Sequence, residues 1–140
     1  MLYLYFTFAF FLSTPVLGQM FTFLAYDAIY GDASCPLSSL ACSDGSNGLE
    51  SKGYATLSSF SNFPYLGGAP TIANWNNANC GKCYAITYAK NTINVLALDV
   101  SKDGFTVSTQ AMNVLTNGQA NALGRVEVTA VEVPASECGL

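Results

Sequence analysis

The chain has 140 residues, five Lys/Arg against nine Asp/Glu, no His and a net charge of −4; 51% of it is apolar and 10% charged. That length suits one domain, and the apolar content is too high for a disordered chain. The acidic balance argues against nucleic acid and anionic lipid as partners, because both select basic clusters, and the lack of His removes imidazole catalysis and His-ligated metals.

Residues 1–18 read as a secretory leader. The run Tyr5 to Leu12 is apolar and uncharged, yet too short to span a bilayer, which takes about 20 apolar residues. Val16 and Gly18 suit the −3 and −1 positions of a cleavage site after Gly18. Residues 19–140 then form one domain, secreted and with no further apolar stretch long enough for a membrane helix. No Asn-x-Ser/Thr sequon occurs.

Along that domain, Met20 to Tyr26 alternates as a first strand. Asp32 to Gly48, rich in Ser, Gly, Asp and Asn, reads as an ordered loop. A helical turn fits near Leu49 or Leu57. Phe63 to Pro70 is turn-rich, and Asn74 to Asn79 is polar around the one Trp, Trp75. Tyr84 to Tyr88 alternates as a strand, Lys90 to Thr92 turns, and Ile93 to Val100 is a second strand with Ile93, Val95, Ala97 and Asp99 on one face. Gly104 to Val107 is short and extended. Ser108 or Thr109 caps a helix whose Ala111, Met112 and Leu115 share a face and which Gly118 stops. Leu123 to Val133 closes the chain as a strand, with Val126, Val128 and Ala130 on one face. Many short strands, Gly-rich turns and one or two short helices describe a small, mainly β barrel.

Cys35, Cys42, Cys80, Cys83 and Cys138 all follow the leader. In a secreted chain they read as disulfide formers, two bridges with one thiol left over, and the spacing leaves the pairing open. Cys80-Gly81-Lys82-Cys83 has redox-motif spacing but no surrounding βαβ pattern. A zinc site would need a second close pair, and Cys35/Cys42 is too widely spaced. Neither a metal nor a cofactor is read.

The stretches Tyr26-Asp27 with Ile29-Tyr30, Ala41-Cys42-Ser43-Asp44-Gly45, Asn47-Gly48-Leu49, Phe63-Pro64 with Gly67-Gly68, and Ile72-Ala73 with Trp75-Asn76 occur in a set order. They are followed by Cys80-Gly81 with Cys83-Tyr84, Ala97-Leu98-Asp99, Gly104-Phe105, Leu123-Gly124-Arg125-Val126 and Cys138-Gly139-Leu140. Together they resemble the cerato-platanin family of small secreted fungal proteins. The resemblance implies a six-stranded double-psi β-barrel stapled by two disulfides, Cys42–Cys80 and Cys83–Cys138, as in the barrel domain of expansins. It implies a protein of the fungal wall and surroundings that binds N-acetylglucosamine oligomers or another wall polysaccharide, loosens it without hydrolysis, and acts as an elicitor through a plant receptor. Two departures stand out: Cys35 is extra, and Thr106 replaces an Asn common after the Gly-Phe pair. Cys35, between Ser34 and Pro36, is expected to be exposed, which makes the protein a monomer able to form a Cys35-linked dimer.

Asp99 matches the Asp shared with expansins and related endoglucanases, where it is the acid. A protonated carboxyl beside apolar neighbours can donate to a glycosidic oxygen; its structural alternative is a turn cap before Gly104. Hydrolysis normally needs a second carboxyl about 5–10 Å away, and Asp27, Asp44 and Asp103 match no endoglucanase base, so binding is the reading and a hydrolase with Asp99 as acid the alternative. A pyranose ring is held by flat aromatics rimmed with amides and hydroxyls. Tyr30, Trp75, Phe105, Ser43, Asp44, Thr106 and Ser108 have that character, although for Trp75 and Phe105 a place in the core is the leading reading. A further alternative is a surface-active, self-assembling wall protein without the hydrophobin Cys pattern.

Overall fold

A computed structural model describes residues 18–140; the leader reading lies outside the described residues. Six strands, β1 (Met20–Tyr26), β2 (Leu66–Ala69), β3 (Cys83–Tyr88), β4 (Asn91–Val100), β5 (Phe105–Val107) and β6 (Arg125–Val133), close in the order β1-β5-β2-β4-β3-β6. The pairs β1/β5 and β2/β4 are parallel and the rest antiparallel. This is the six-stranded double-psi β-barrel that the resemblance implies. Closure leaves no unpaired sheet edge to seed aggregation.

Alternation along the strands fills the interior. Leu24, Tyr84, Ile86, Val95, Phe105, Val107, Val126 and Val128 form its core, each large side chain contributing about 1.5–3 kcal/mol. Helix α1 (Thr109–Thr116) adds Ala111, Met112 and Leu115 to this core. Its N-terminus is capped by Ser108 Oγ, which accepts from the Ala111 amide at 3.0 Å, and Asn117 and Gly118 end it at positive φ. A second core lies outside the barrel wall. The long connection between β1 and β2 lays Tyr30, Leu37, Leu40, Leu49, Leu57 and Phe60 against Leu66, Leu96 and Leu98. Helical turns occur at both anticipated places, Glu50–Lys52 and Leu57–Ser59.

The bridges are Cys42–Cys80 and Cys83–Cys138. The first ties the long connection to the segment before β3. The second ties β3 to the C-terminal turn Ala135–Cys138. The remaining thiol corrects the sequence reading: Cys35 is 4% exposed and packs in the outer core. Its sulfur lies 3.6 Å from Ser39 Oγ. The small residues around it form a tight turn that folds the thiol inward, which removes the ground for a Cys35-linked dimer.

Four other expectations shift. The turn-rich Phe63 to Pro70 contains β2, a strand of Leu66, Gly67, Gly68 and Ala69. A Cβ on Gly67 would overlap the Thr106 carbonyl oxygen, so glycine is what lets β2 pair with β5. The hairpin turns at Ala89 and Lys90, and Thr92 is already in the ladder opposite Thr87. Leu123 ends a second short helix, α2 (Ala120–Leu123), and β6 starts two residues later.

The fourth shift concerns Asp99. Gly67 pairs with Ala97 but Gly68 with Asp99, so β4 carries one extra residue at this point. Such a bulge reverses the alternation beyond it. Ile93, Val95 and Ala97 face the interior, and Val100 packs there too. Asp99 instead faces the outer layer with Tyr30, not the face of Ile93, Val95 and Ala97.

Candidate functional site

Asp99 is the centre of a hydrogen-bonded buckle between wall and outer layer. Its Oδ2 accepts from the Tyr30 hydroxyl at 2.8 Å. Its Oδ1 accepts from the Ala41 amide at 3.0 Å and the Val100 amide at 2.9 Å. An ionised carboxylate only accepts, and three donors occupy it here. Tyr30 is buried. Burial first, then the Asp99 carboxylate, pushes its phenol well above the usual range, so it stays a neutral donor. Tyr30 therefore serves as the clasp of the buckle rather than as an open ring for stacking.

The other candidate carboxyls have separate tasks. Asp27 caps the turn Ala28–Gly31 by accepting from the Ile29 amide at 3.0 Å. Asp44 holds Trp75, and Asp103 lines a cleft with Lys102 and Arg125. Asp27 lies close enough for its charge to act on the Tyr30 phenol that Asp99 holds, and Asp99 shares no hydrogen bond with another carboxyl among the described residues. Nor do any three His, Cys, Asp or Glu among them stand where they could hold a metal ion.

From Asp99 the network continues to the surface through the backbone of Ala41, whose carbonyl accepts from the Asn76 amide at 3.3 Å. Asn76 adopts positive φ, and its side chain accepts from the Asn47 amide at 2.7 Å while Asn47 Nδ2 donates to the Asn76 carbonyl at 3.0 Å. Beside this clamp Trp75 Nε1 donates to Asp44 Oδ1 at 2.6 Å, and Ser43 Oγ donates to the same oxygen at 3.3 Å. Gly45, at positive φ, gives room: a Cβ there would crowd Asn76 and sit 3.1 Å from Trp75 Cζ2. The Cys42–Cys80 bridge underlies both segments. The result is a Trp75 that is 56% exposed, its indole pinned through Nε1, with the Asn47–Asn76 clamp beside it and a second amide pair, Asn77 Nδ2 to Asn74 Oδ1 at 3.4 Å, in the same loop. The core alternative for Trp75 does not hold; Phe105, by contrast, is core.

Ser43, Asp44 and Trp75 are thus brought together, with Asp99 and Tyr30 behind them. Thr106 stands apart. It shares a lateral row with Gly68 and Asp99 across β5, β2 and β4, its hydroxyl 2.8 Å from Ser101 Oγ. With Gly68 bare between them, two strand spacings, about 10 Å, separate Thr106 from Asp99. Ser108 is corrected outright. It is fully buried, caps α1 and donates to the Pro64 carbonyl, so its hydroxyl faces no solvent. Ser43 is also buried and acts through Asp44. Asn47 was not among the candidates read from the sequence, yet it is clamped to Asn76 beside Trp75. Its signal was the pair of turn dipeptides Asp44-Gly45 and Asn47-Gly48, which fold the loop back onto Asn76.

A family model described as Cerato-platanin matches residues 22–140. A heat-stable 19 kDa antigen of Coccidioides posadasii is 51% identical over 117 residues, covering 84% of this chain and 80% of the relative. Cerato-platanin of Ceratocystis fimbriata f. sp. platani is 37% identical over 125 residues, covering 88% and 90%. Among solved structures, cerato-platanin 3 of M. perniciosa superposes with a TM-score of 0.83 at 45% identity over 86% of this chain and all of that one. The solution structure of the fungal elicitor Cerato-Platanin gives 0.74 at 34% identity over 83% and 95%. A Clavibacter michiganensis expansin, 18% identical with a TM-score of 0.53 over 83% of this chain and half of that one, shares the fold alone.

Proposed function

The chain belongs to the cerato-platanin family of secreted fungal proteins, and from that premise we propose that it is a non-enzymatic, expansin-like protein of the fungal wall that binds N-acetylglucosamine oligomers. The two disulfides fit an extracellular protein. The observation that carries the reading is the exposed Trp75 indole pinned by Asp44, in a loop that also carries Asn74, Asn76 and Asn77 and is clamped to Asn47. A ring held flat offers its face to the apolar side of a pyranose, and the amides offer donors and acceptors to hydroxyl and acetamido groups. Rigid anchoring lowers the ordering cost of binding. Binding without cleavage is the reading because Asp99 accepts from three donors of the protein itself, which gives it a structural task. Elicitor activity, which the name of one structural relative carries, follows in this reading from release of the small stapled domain into the surroundings of the fungus, where a plant receptor can meet it.

The test is calorimetric titration with hexa-N-acetylchitohexaose beside a reducing-end assay. The reading expects saturable binding, no liberated reducing ends, and at least about tenfold weaker binding in Trp75→Ala, the loss of roughly 1.4 kcal/mol of stacking and contact. Reducing ends released by wild type and abolished in Asp99→Asn would replace this reading with the hydrolase.

A further inference from the structure

We infer that the outer face of the wall formed by β1, β6 and β3 is a second contact for a neutral polysaccharide chain, so that one molecule bridges two chains. The inference rests on the carbohydrate reading above but uses none of its residues. In a six-stranded ring of order β1-β5-β2-β4-β3-β6, β6 lies three steps from β2 in either direction. A site centred on β6 is therefore across the barrel from Gly68 on β2; Asp99, on the adjoining β4, is linked through Ala41 to the Asn76 amide beside Trp75.

A cleft of about 480 Å³ is on that wall, within the roughly 300–1,000 Å³ of small-ligand sites. On β1 the interior takes Leu24, which leaves Phe21 and Phe23 facing out; Phe21 is 81% exposed. Neither ring belongs to a core cluster. Phe21 begins a lateral row in which it pairs with Thr129, Thr129 with Thr87, and Thr87 with Thr92. Three strand spacings make that row about 14 Å long, an aromatic ring followed by the Thr129 hydroxyl and the Thr87 and Thr92 hydroxyls, which share one hydrogen bond of 2.8 Å and keep their remaining lone pairs. Phe23 pairs with Glu127 in the next row and carries Arg125 stacked 3.7 Å from its centroid.

The charge pattern selects the ligand class. Glu127 is the one ionisable residue lining the cleft, and Arg125 stands two residues away on the same face. Neither makes an ion pair among the described residues. One carboxylate and one guanidinium leave the surface near balance, with unspent donors and acceptors. That suits a neutral polyol and neither a polyanion nor a polycation. A flat hydroxyl-lined sheet beside an aromatic ring also matches an extended chain better than a single sugar. With a glycan on each of two separate faces, the second engagement occurs at the effective concentration set by the first.

The test is an amide NMR titration of the wild-type protein with hexa-N-acetylchitohexaose. Two groups of signals should move: the Trp75 indole with Asn47 and Asn76, and separately Thr87, Ala89 and Thr129. Phe21→Ser, at a solvent-facing ring, should weaken the second group's titration about tenfold and leave the first unchanged. It should also abolish clumping of chitin-coated beads, as Trp75→Ala should. Movement of the Trp75 group alone overturns this inference and leaves the proposed function standing. Movement of the sheet group alone overturns bridging and the Trp75 site together, and movement of neither overturns both readings. Sheet-group shifts that follow protein concentration without sugar would assign the face to a second copy and also overturn it.

Discussion

Removing the Asp99 carboxylate should unlatch the outer layer of the fold. Asp99→Ala deletes three hydrogen bonds of 2.8–3.0 Å and leaves the buried Tyr30 hydroxyl and the Ala41 amide without their acceptor. Each such orphan costs about 1–3 kcal/mol; with Asp99 only half-buried, the lower part of that range applies, giving roughly 3 kcal/mol in all. For a domain of this size that lowers Tm by roughly 10 °C. Asp99→Asn keeps an oxygen for the two amides and turns its NH2 toward Tyr30, so it should lose about 1 kcal/mol. Tyr30→Phe should lose about as much, and Tyr30→Phe in the Asp99→Ala background should add almost nothing, because the shared bond is already gone. Urea unfolding with the disulfides intact gives all these values. An Asp99→Ala protein as stable as wild type, or additive losses in the double variant, would refute the buckle. Loosened Ala41 should also blur the Trp75 platform, so an Asp99→Ala defect in sugar binding should be accompanied by the stability loss and not occur alone.

Burial, then Asp99, raises the Tyr30 phenol above its ordinary 10.0, and burial raises Tyr84 likewise. The unfolded chain therefore loses these protons first as pH rises, and stability, fully present below pH 10, should fall above it by up to about 1.4 kcal/mol per pH unit for each phenol; unfolding midpoints from pH 8 to 11 should show this slope, reduced in Tyr30→Phe. Native Cys35 should resist a thiol reagent and react only on unfolding, and a gel without reductant should show monomer; rapid labelling of the native protein would contradict its burial. Non-reducing peptide mapping should recover Cys42–Cys80 and Cys83–Cys138, and with sequence separations of 38 and 55 each bridge should contribute about 4 kcal/mol, so a reduced protein that keeps its midpoint would count against the staples.

Elements with a clear period were legible in the sequence. The alternation of β1 and β3, the run of β4 and the Ser108 cap with its Ala111, Met112 and Leu115 face all carry local signals that the fold keeps. β2 carried none, because Gly67 and Gly68 are chosen for close approach of the β5 backbone, and two prolines nearby read as turn. The face of Asp99 was misread because a bulge is a property of the pairing with β2 and leaves no mark in the β4 sequence. Burial of Cys35 and Ser108 follows from tertiary cover by segments distant in the chain. Among the site residues, Asp44 and Trp75 were named separately; that they touch depends on the Cys42–Cys80 bridge and the Asn47–Asn76 clamp, whose 29-residue separation no local pattern reports. Their polar and aromatic character was readable, and their meeting was not.

The central claim, a sugar seated on the pinned indole, is tested most directly by the Nε1–H signal of Trp75, which belongs to the one Trp in the chain. On titration with hexa-N-acetylchitohexaose this signal should shift saturably, with the Asn47 and Asn76 amides following the same curve and the ligand recovered intact. A Trp75 signal that stays fixed through saturating ligand would contradict the account.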